Sequence, residues 1–178
     1  MSQSTPPRAV PVGAADEQAR AEARALLGAA RHAALAVIEP ESGAPHLARI
    51  GLAVAPSGVA MSLISDLALH SRALAADPRC ALLVGEPGTR GDPLTHPRLT
   101  VHADARFGDE SRGDGADLRA HYVRQRPKAR LYAGFADFRP VLFIPRHGFL
   151  NAGFGRAFDL SAFDLTIQVA GTRPAPAR

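Results

Sequence analysis

The residues best placed to do chemistry lie where an apolar run gives way to a polar turn and a helix-like segment. The run 59–64 ends in the hydroxyl residue Ser65, and the segment that follows the turn opens with His70, Ser71 and Arg72. A helix start leaves backbone N–H groups unpaired, and its dipole favours an anion. An arginine adds a planar fork of donors that matches phosphate oxygens. This arrangement predicts a phosphate site.

Each of these residues also has a simpler reading. Ser71 and Arg72 are typical of a helix cap and a solvated charge, Ser65 of a turn after a strand, and His70 of an exposed position. Arg49 lies on a second apolar run, where an unpaired charge would be costly. We therefore expect Arg49 either to bind phosphate or to form a structural salt bridge.

The elements that must position these residues are mostly short strands. Apolar or alternating residues indicate seven strand-like runs, over 33–38, 46–55, 59–65, 80–85, 98–107, 138–144 and 147–152. Helices are indicated over 14–31, expected to be exposed, and over 71–76 and 114–125. The first three runs suggest an antiparallel meander, and the chain has neither a βαβ rhythm nor a glycine-rich nucleotide fingerprint. The pattern predicts a β-barrel with peripheral helices.

Composition narrows the class of protein. The 178 residues suggest one domain, over 13–165, between tails at 1–12 and 166–178. The lone Cys80 excludes an intramolecular disulfide and is expected in the core, and the seven histidines show no metal-ligand spacing. No apolar run is long enough to span a membrane, and no signal peptide is evident, so we expect a cytoplasmic protein without a membrane partner.

The net charge of +4 comes from 21 basic residues, of which Lys128 is the one lysine. A basic segment over 119–130 could in principle contact nucleic acid, but a solvated helix end is the preferred reading, and no nucleic-acid partner is expected.

Residues 64–84 resemble the FMN-binding split β-barrel family related to pyridoxamine 5'-phosphate oxidase. The similarity is greatest to its HugZ-type haem-utilisation branch, which residues 91–100 also match. The pairing of Tyr132-Ala133-Gly134-Phe135-Ala136-Asp137-Phe138 with 151–157 fits the same branch. The resemblance covers about residues 25–158.

The resemblance implies a mainly β (α+β) fold, a six- to seven-stranded antiparallel split β-barrel with peripheral helices. It also implies a homodimer that holds FMN at the subunit interface. Arg49 matches a phosphate-binding arginine, and Ser71 with Arg72 matches the pair that grips the phosphate. The other cofactor-binding residues expected are Ile64 and Ser65 at the flavin and its phosphate tail, His70 beside the phosphate, and Arg98 where the oxidases carry a glutamine near the ring.

The sequence departs from the oxidases at several positions. Ala73 and Val54 replace lysines of the oxidases, and the chain has no tryptophan to hold the vitamin substrate. The resemblance therefore implies FMN binding without vitamin B6 oxidation, and an FMN-dependent oxidoreductase acting on a small molecule. The alternative is a non-catalytic haem- or flavin-binding protein of the haem-utilisation type. Phe135, Phe138 and Phe154 are expected beside the flavin ring or in the core, and spacing identifies no general acid or base.

Overall fold

The computed structural model describes residues 12–109, 114–153 and 155–168. Within them, three helices flank nine strands. The helices are α1 (Glu17–Ala29), α2 (Leu69–Ala76) and α3 (Asp114–Gln125). The strands are β1 (Gly13–Ala14), β2 (His32–Ile38), β3 (Pro45–Gly51), β4 (Ala53–Val54), β5 (Ala60–Ser65), β6 (Arg79–Val84), β7 (Arg98–Phe107), β8 (Phe138–Asn151) and β9 (Ala157–Ser161).

One sheet joins all nine strands. Its main order is β1-β9-β8-β7-β6-β2-β3, and β5 pairs with both β4 and β8. The main path ends at β3, and the chain continues from β3 through the buried Leu52 into β4, which pairs with β5. The ring of strands is therefore completed at Leu52 by the chain itself, and the hydrogen-bonded sheet is not closed. This is a split barrel of mainly β, α+β class, as expected from the sequence.

The longest strand was expected as two. Phe138–Asn151 is continuous, and it pairs with β5 through its first half and with β9 through its second half. The register against β7 shifts between His102 and Ala103, next to Pro145. A proline cannot donate to the ladder and is tolerated at a bulge, so the strand bends there without ending.

Helix α1 lies against the sheet with one buried face. Asp16 caps it by accepting from the backbone N–H of Ala19 at 2.7 Å. Ala19, Ala23 and Leu27 are buried, so the expectation of an exposed helix was wrong for this face. The three residues recur at four-residue spacing, and their small size allows close packing on the barrel core.

The core has two parts. The larger lies inside the barrel, under α1 and α2, and its members include Leu35, Leu82 and Phe143. The smaller lies between β5 and α3 and is built around Tyr122, which is 1% exposed.

The remaining sequence expectations can be compared directly. The meander of β2, β3–β4 and β5 is confirmed by the pairing of β2 with β3 and of β4 with β5. The strands β1 and β9 were not expected, and they pair in parallel.

Most of both expected tails, and Phe154, lie outside the described residues. None of the helices in the described ranges is long and apolar enough to cross a bilayer.

Candidate functional site

A cavity of about 340 Å³ opens where β5 passes into α2. One wall is formed by β3 and the end of β5, and the opposite wall by the segment 132–138. The lining residues are Arg49, Ile50, Gly51, Leu63, Ile64, Ser65, Ala68, His70, Tyr132, Phe135 and Phe138. Four of the seven cofactor-binding residues expected from the sequence therefore meet here, namely Arg49, Ile64, Ser65 and His70.

The basic groups of the cavity come from β3 and α2. The side chain of Arg49 is exposed and forms no ion pair or hydrogen bond with another described residue, so the expected structural salt bridge is not found in the described part of the chain. Burial, with a smaller contribution from nearby His46, lowers the pKa of His70. The cavity thus presents an unpaired guanidinium beside an imidazole that is held in its neutral form.

The start of α2 has unfilled hydrogen-bonding capacity. Its cap residue, Ala68, has no side chain that could accept from the helix. The N–H groups of Leu69 and His70 find no acceptor among the described residues. The hydroxyl of Ser71 is buried, with the residue 2% exposed, and it too has no partner there. Because a buried polar group without a partner is costly, this helix start fits an anionic ligand such as a phosphate.

The carboxylate of Asp137 binds Ser65, which lines the cavity at the end of β5. The hydroxyl of Ser65 donates to Asp137 at 2.5 Å and accepts from the N–H of Leu67 at 3.1 Å. The N–H of Asp66 donates to the backbone carbonyl of Asp137 at 2.7 Å. These contacts tie the end of β5 to the segment 132–138, so they fix the width of the cavity.

The wall opposite β3 is aromatic. The rings of Tyr132 and Phe138 lie 4.9 Å apart, and Phe135, which is 59% exposed, meets Phe138 edge-on at 6.3 Å. With Ile50, Leu63 and Ile64 these rings give a largely apolar interior. Such a lining suits a flat, conjugated ligand better than a sugar or a peptide.

Gly51, which lines the cavity, lies against the hydroxyl groups of Tyr122 and Ser62. A Cβ at Gly51 would overlap the hydroxyl of Tyr122, which hydrogen-bonds with Tyr132 and Ser62. Ser62 in turn donates to the carbonyl of Gly51 at 2.6 Å. Burial, with a smaller contribution from nearby Tyr132, raises the pKa of Tyr122, so this phenol stays protonated.

Comparison with known proteins places the fold and the site in context. No family model matches the chain. One solved structure shares 42% identity at a TM-score of 0.78, covering 86% of this chain and 99% of that one. A haem-binding protein from Mycobacterium smegmatis shares 26% identity at a TM-score of 0.73, covering 85% and 61%. The chloroplast haem oxygenase HOZ of Arabidopsis thaliana is 32% identical over 117 residues, 65% of this chain.

The chain has the fold of the split β-barrel family related to pyridoxamine 5'-phosphate oxidase. It is similar to the haem-utilisation proteins of that family, and it spans 34% of the length of the Arabidopsis oxygenase.

Three of the expected site residues do not line the split-barrel cavity. Ser71 and Arg72 lie in the first turn of α2 behind His70, with Ser71 turned inward and Arg72 exposed. The guanidinium of Arg98 donates to the carbonyls of Leu94, at 2.9 Å, and His96, at 3.4 Å, on the loop before β7. It forms no ion pair with Asp92 or Glu86.

Other basic residues serve the framework of the split barrel. Arg126 donates to the carbonyls of Leu52 and Ala30, at 2.6 and 2.7 Å, and Arg119 donates to that of Ala133 at 2.7 Å. Part of the basic segment 119–130 is thus used to hold backbone. Cys80 is largely buried, and burial raises the pKa of its thiol to about 12, which fits a packing role.

Sequence reasoning missed Tyr132, which lines the cavity, and Asp137, which binds the lining residue Ser65. Both were inside the stretch 132–138 that carried the family resemblance, but nothing in their spacing indicated a role. The signal that could have found Asp137 is its position beside Phe138, which pairs with Ser65 across the β5–β8 ladder.

Proposed function

We propose that this protein binds FMN, with the phosphate at the start of α2 and the ring system in the cavity. The observation that carries the proposal is the buried hydroxyl of Ser71, which has no partner among the described residues, at an uncapped helix start. A phosphate there would supply acceptors for this hydroxyl and for the free N–H groups of the first turn. Arg49 and Arg72 would neutralise its charge.

The ring system of the flavin fits the other half of the cavity. The isoalloxazine is flat and largely apolar, and the walls offered by Ile64, Tyr132 and Phe138 have the same character. Both polar and apolar parts of the cofactor thus have a complementary surface within one cavity.

The chemistry follows from the cofactor and its surroundings. FMN, when bound, supplies one- or two-electron transfer, while a protein supplies binding and orientation. Here the aromatic wall would orient the ring and exclude water, and Tyr132 would present a hydroxyl to it. We infer an FMN-dependent oxidoreductase that acts on a small molecule, in the cytoplasm.

We also propose that a second copy of the chain completes the site. Leu67, Leu131 and Phe135 are 80%, 82% and 59% exposed near the cavity, and Leu47 on β3 is 71% exposed next to Arg49. Clustered exposed apolar side chains are typical of an interaction surface. In such a homodimer, Arg98 would contribute to the cavity of the partner.

Flavin fluorescence tests the proposed binding. Titration of the full, ligand-free protein into FMN should quench its emission to a plateau at one FMN per chain. Arg49→Ala and Arg72→Ala should each raise the Kd by about 10- to 100-fold, the effect of about 1.5–3 kcal/mol for a charged hydrogen bond. Arg106→Ala removes an exposed arginine that pairs with Asp114 and should leave the Kd unchanged. Unaltered affinity in both Arg49→Ala and Arg72→Ala would remove the phosphate assignment.

Haem binding is a second candidate function. It is favoured by the similarity to the haem-binding protein of Mycobacterium smegmatis and to the Arabidopsis haem oxygenase. His70 is half-buried, lines the cavity and has a lowered pKa, so its neutral nitrogen could ligate iron. Titration with haemin should then shift the Soret band, and His70→Ala should abolish the shift. A non-catalytic carrier predicts haem or flavin binding without turnover by any electron donor.

A further inference from the structure

Two histidines stack on the outer face of the sheet, away from the cavity. His102 on β7 and His147 on β8 are directly opposite each other in the antiparallel ladder. Their ring centroids are 4.4 Å apart, and the rings are within 13° of parallel. Both side chains are exposed, and neither ring hydrogen-bonds with another described residue. Four ring nitrogens are therefore available at one point on the surface.

The backbone places the two side chains within reach of one ion. Two nitrogens bound to one ion at about 2.0–2.1 Å with a tetrahedral angle are about 3.3 Å apart. Each nitrogen lone pair lies in the plane of its ring, so the stacked rings must turn about their side-chain torsions before both lone pairs face one ion. Both side chains are exposed and have no hydrogen bond with another described residue that such a turn would break. Because the two histidines lie opposite each other on paired strands, the backbone does not have to move.

The neighbouring groups decide which ions fit. The Asp104 carboxylate is paired with Arg146 at 3.4 Å, and the Cys80 thiol contacts the carbonyl of Ala103 at 3.5 Å. No group of three or more histidine, cysteine or acidic residues that could hold a metal ion occurs in the described ranges. Two imidazole nitrogens without a carboxylate or a thiolate favour Cu²⁺, Ni²⁺ or Zn²⁺ over Ca²⁺ or Mg²⁺.

We propose that His102 and His147 together chelate one divalent transition-metal ion, with Cu²⁺ bound most tightly and water in the remaining positions. The inference is independent of the proposed flavin site, from which the pair is separate: neither histidine lines the cavity. The sequence alone does not indicate this pair, because the two residues are 45 positions apart and meet only through the register of β7 with β8.

Calorimetric titration with CuCl₂ and NiCl₂ tests this inference on full-length protein purified without a polyhistidine tag. One ion should bind per chain, and CaCl₂ should give no heat above dilution. His102→Ala and His147→Ala should each lower the Cu²⁺ affinity at least tenfold. The matched control is His96→Ala, because the His96 ring is engaged by the N–H of Gly88 and the carbonyl of Arg90 and should not contribute.

The electron paramagnetic resonance spectrum of the Cu²⁺ complex adds a second readout. It should show coupling to two equivalent imidazole nitrogens in wild type and to fewer in either variant. FMN titration and thermal melting of the same variants should match wild type, which separates failure of the metal site from failure of the flavin site or of folding. If one variant does not fold, the other still decides the question. Affinity that survives both substitutions, or a spectrum without paired nitrogen coupling, would overturn the inference.

Discussion

The hydroxyl of Ser65 donates to the carboxylate of Asp137, so the end of β5 is bonded to the segment 132–138, three of whose residues line the cavity. The hydrogen that Ser65 would offer to a phosphate is thus already used in the absence of ligand. Asp137 also forms no ion pair with another described residue. Any anion that binds nearby must approach an uncompensated carboxylate.

Asp137→Asn should therefore strengthen FMN binding. Removing a like charge beside the phosphate should lower the Kd by about fivefold, which corresponds to about 1 kcal/mol. Flavin fluorescence measures the change, and Asp159→Asn, which removes an exposed charge from β9, serves as the control. Weaker binding in Asp137→Asn would mean that the carboxylate positions Ser65 for the ligand instead of opposing it.

Ser71→Ala should have opposite effects on stability and on binding. In the free protein the buried hydroxyl has no partner in the described structure, so its removal should raise the free energy of unfolding by about 1 kcal/mol. In the complex the same hydroxyl contacts phosphate, so the Kd for FMN should rise. Urea denaturation and flavin titration measure the two effects.

Ser62→Ala is the matched control for Ser71→Ala. Its hydroxyl is also buried but donates to the carbonyl of Gly51 at 2.6 Å, so this substitution should destabilise the free protein. Equal loss of stability in the two serine variants would show that Ser71 has a partner of its own.

The stability of the ligand-free protein should fall as the pH is lowered from 7.5 to 5. The pKa of His70 is held below its ordinary value of 6.5, so the folded state favours the neutral ring. Such a group stabilises the fold above the unfolded-state pKa, and the contribution is lost as the pH falls through the folded-state pKa. Burial and His147 also lower the pKa of His102, so protonation of His102 should destabilise the fold in the same way.

Urea unfolding at several pH values checks this dependence. His70→Gln should flatten the curve between pH 7 and 5, since glutamine does not titrate in that range. A curve that is just as steep in His70→Gln would assign the dependence to other groups.

Gly51→Ala should destabilise the fold by about 1–3 kcal/mol, because the added methyl overlaps the hydroxyl of the buried Tyr122. Tyr122→Phe removes that oxygen, so it should cost less in the Gly51→Ala background than in wild type. A double-mutant cycle of thermal or urea unfolding measures the coupling. Strictly additive effects would show that the two groups do not compete for the same space.

The sequence was a good guide to the fold and a partial guide to the site. A continuous apolar run located β2, alternating residues located β7, and the segment 65–72 with Ser65 and Ser71 located the helix start, because these features depend on local pattern. Strand β9 and the continuity of β8 through Pro145 were missed, since both depend on pairing with distant strands. Asp137 was missed for the same reason, because it reaches Ser65 only through the β5–β8 ladder.

The relative affinity of the protein for FMN and riboflavin, measured by calorimetry on the same ligand-free preparation, tests the central claim most directly. The two ligands share the ring system and differ in the phosphate, so their difference reports the contribution of Arg49, Ser71, Arg72 and the helix start. We predict that FMN binds at least 100-fold more tightly, about 3 kcal/mol, at one molecule per chain. Equal affinities for the two flavins, or no binding of either, would contradict the proposal that the start of α2 holds the phosphate.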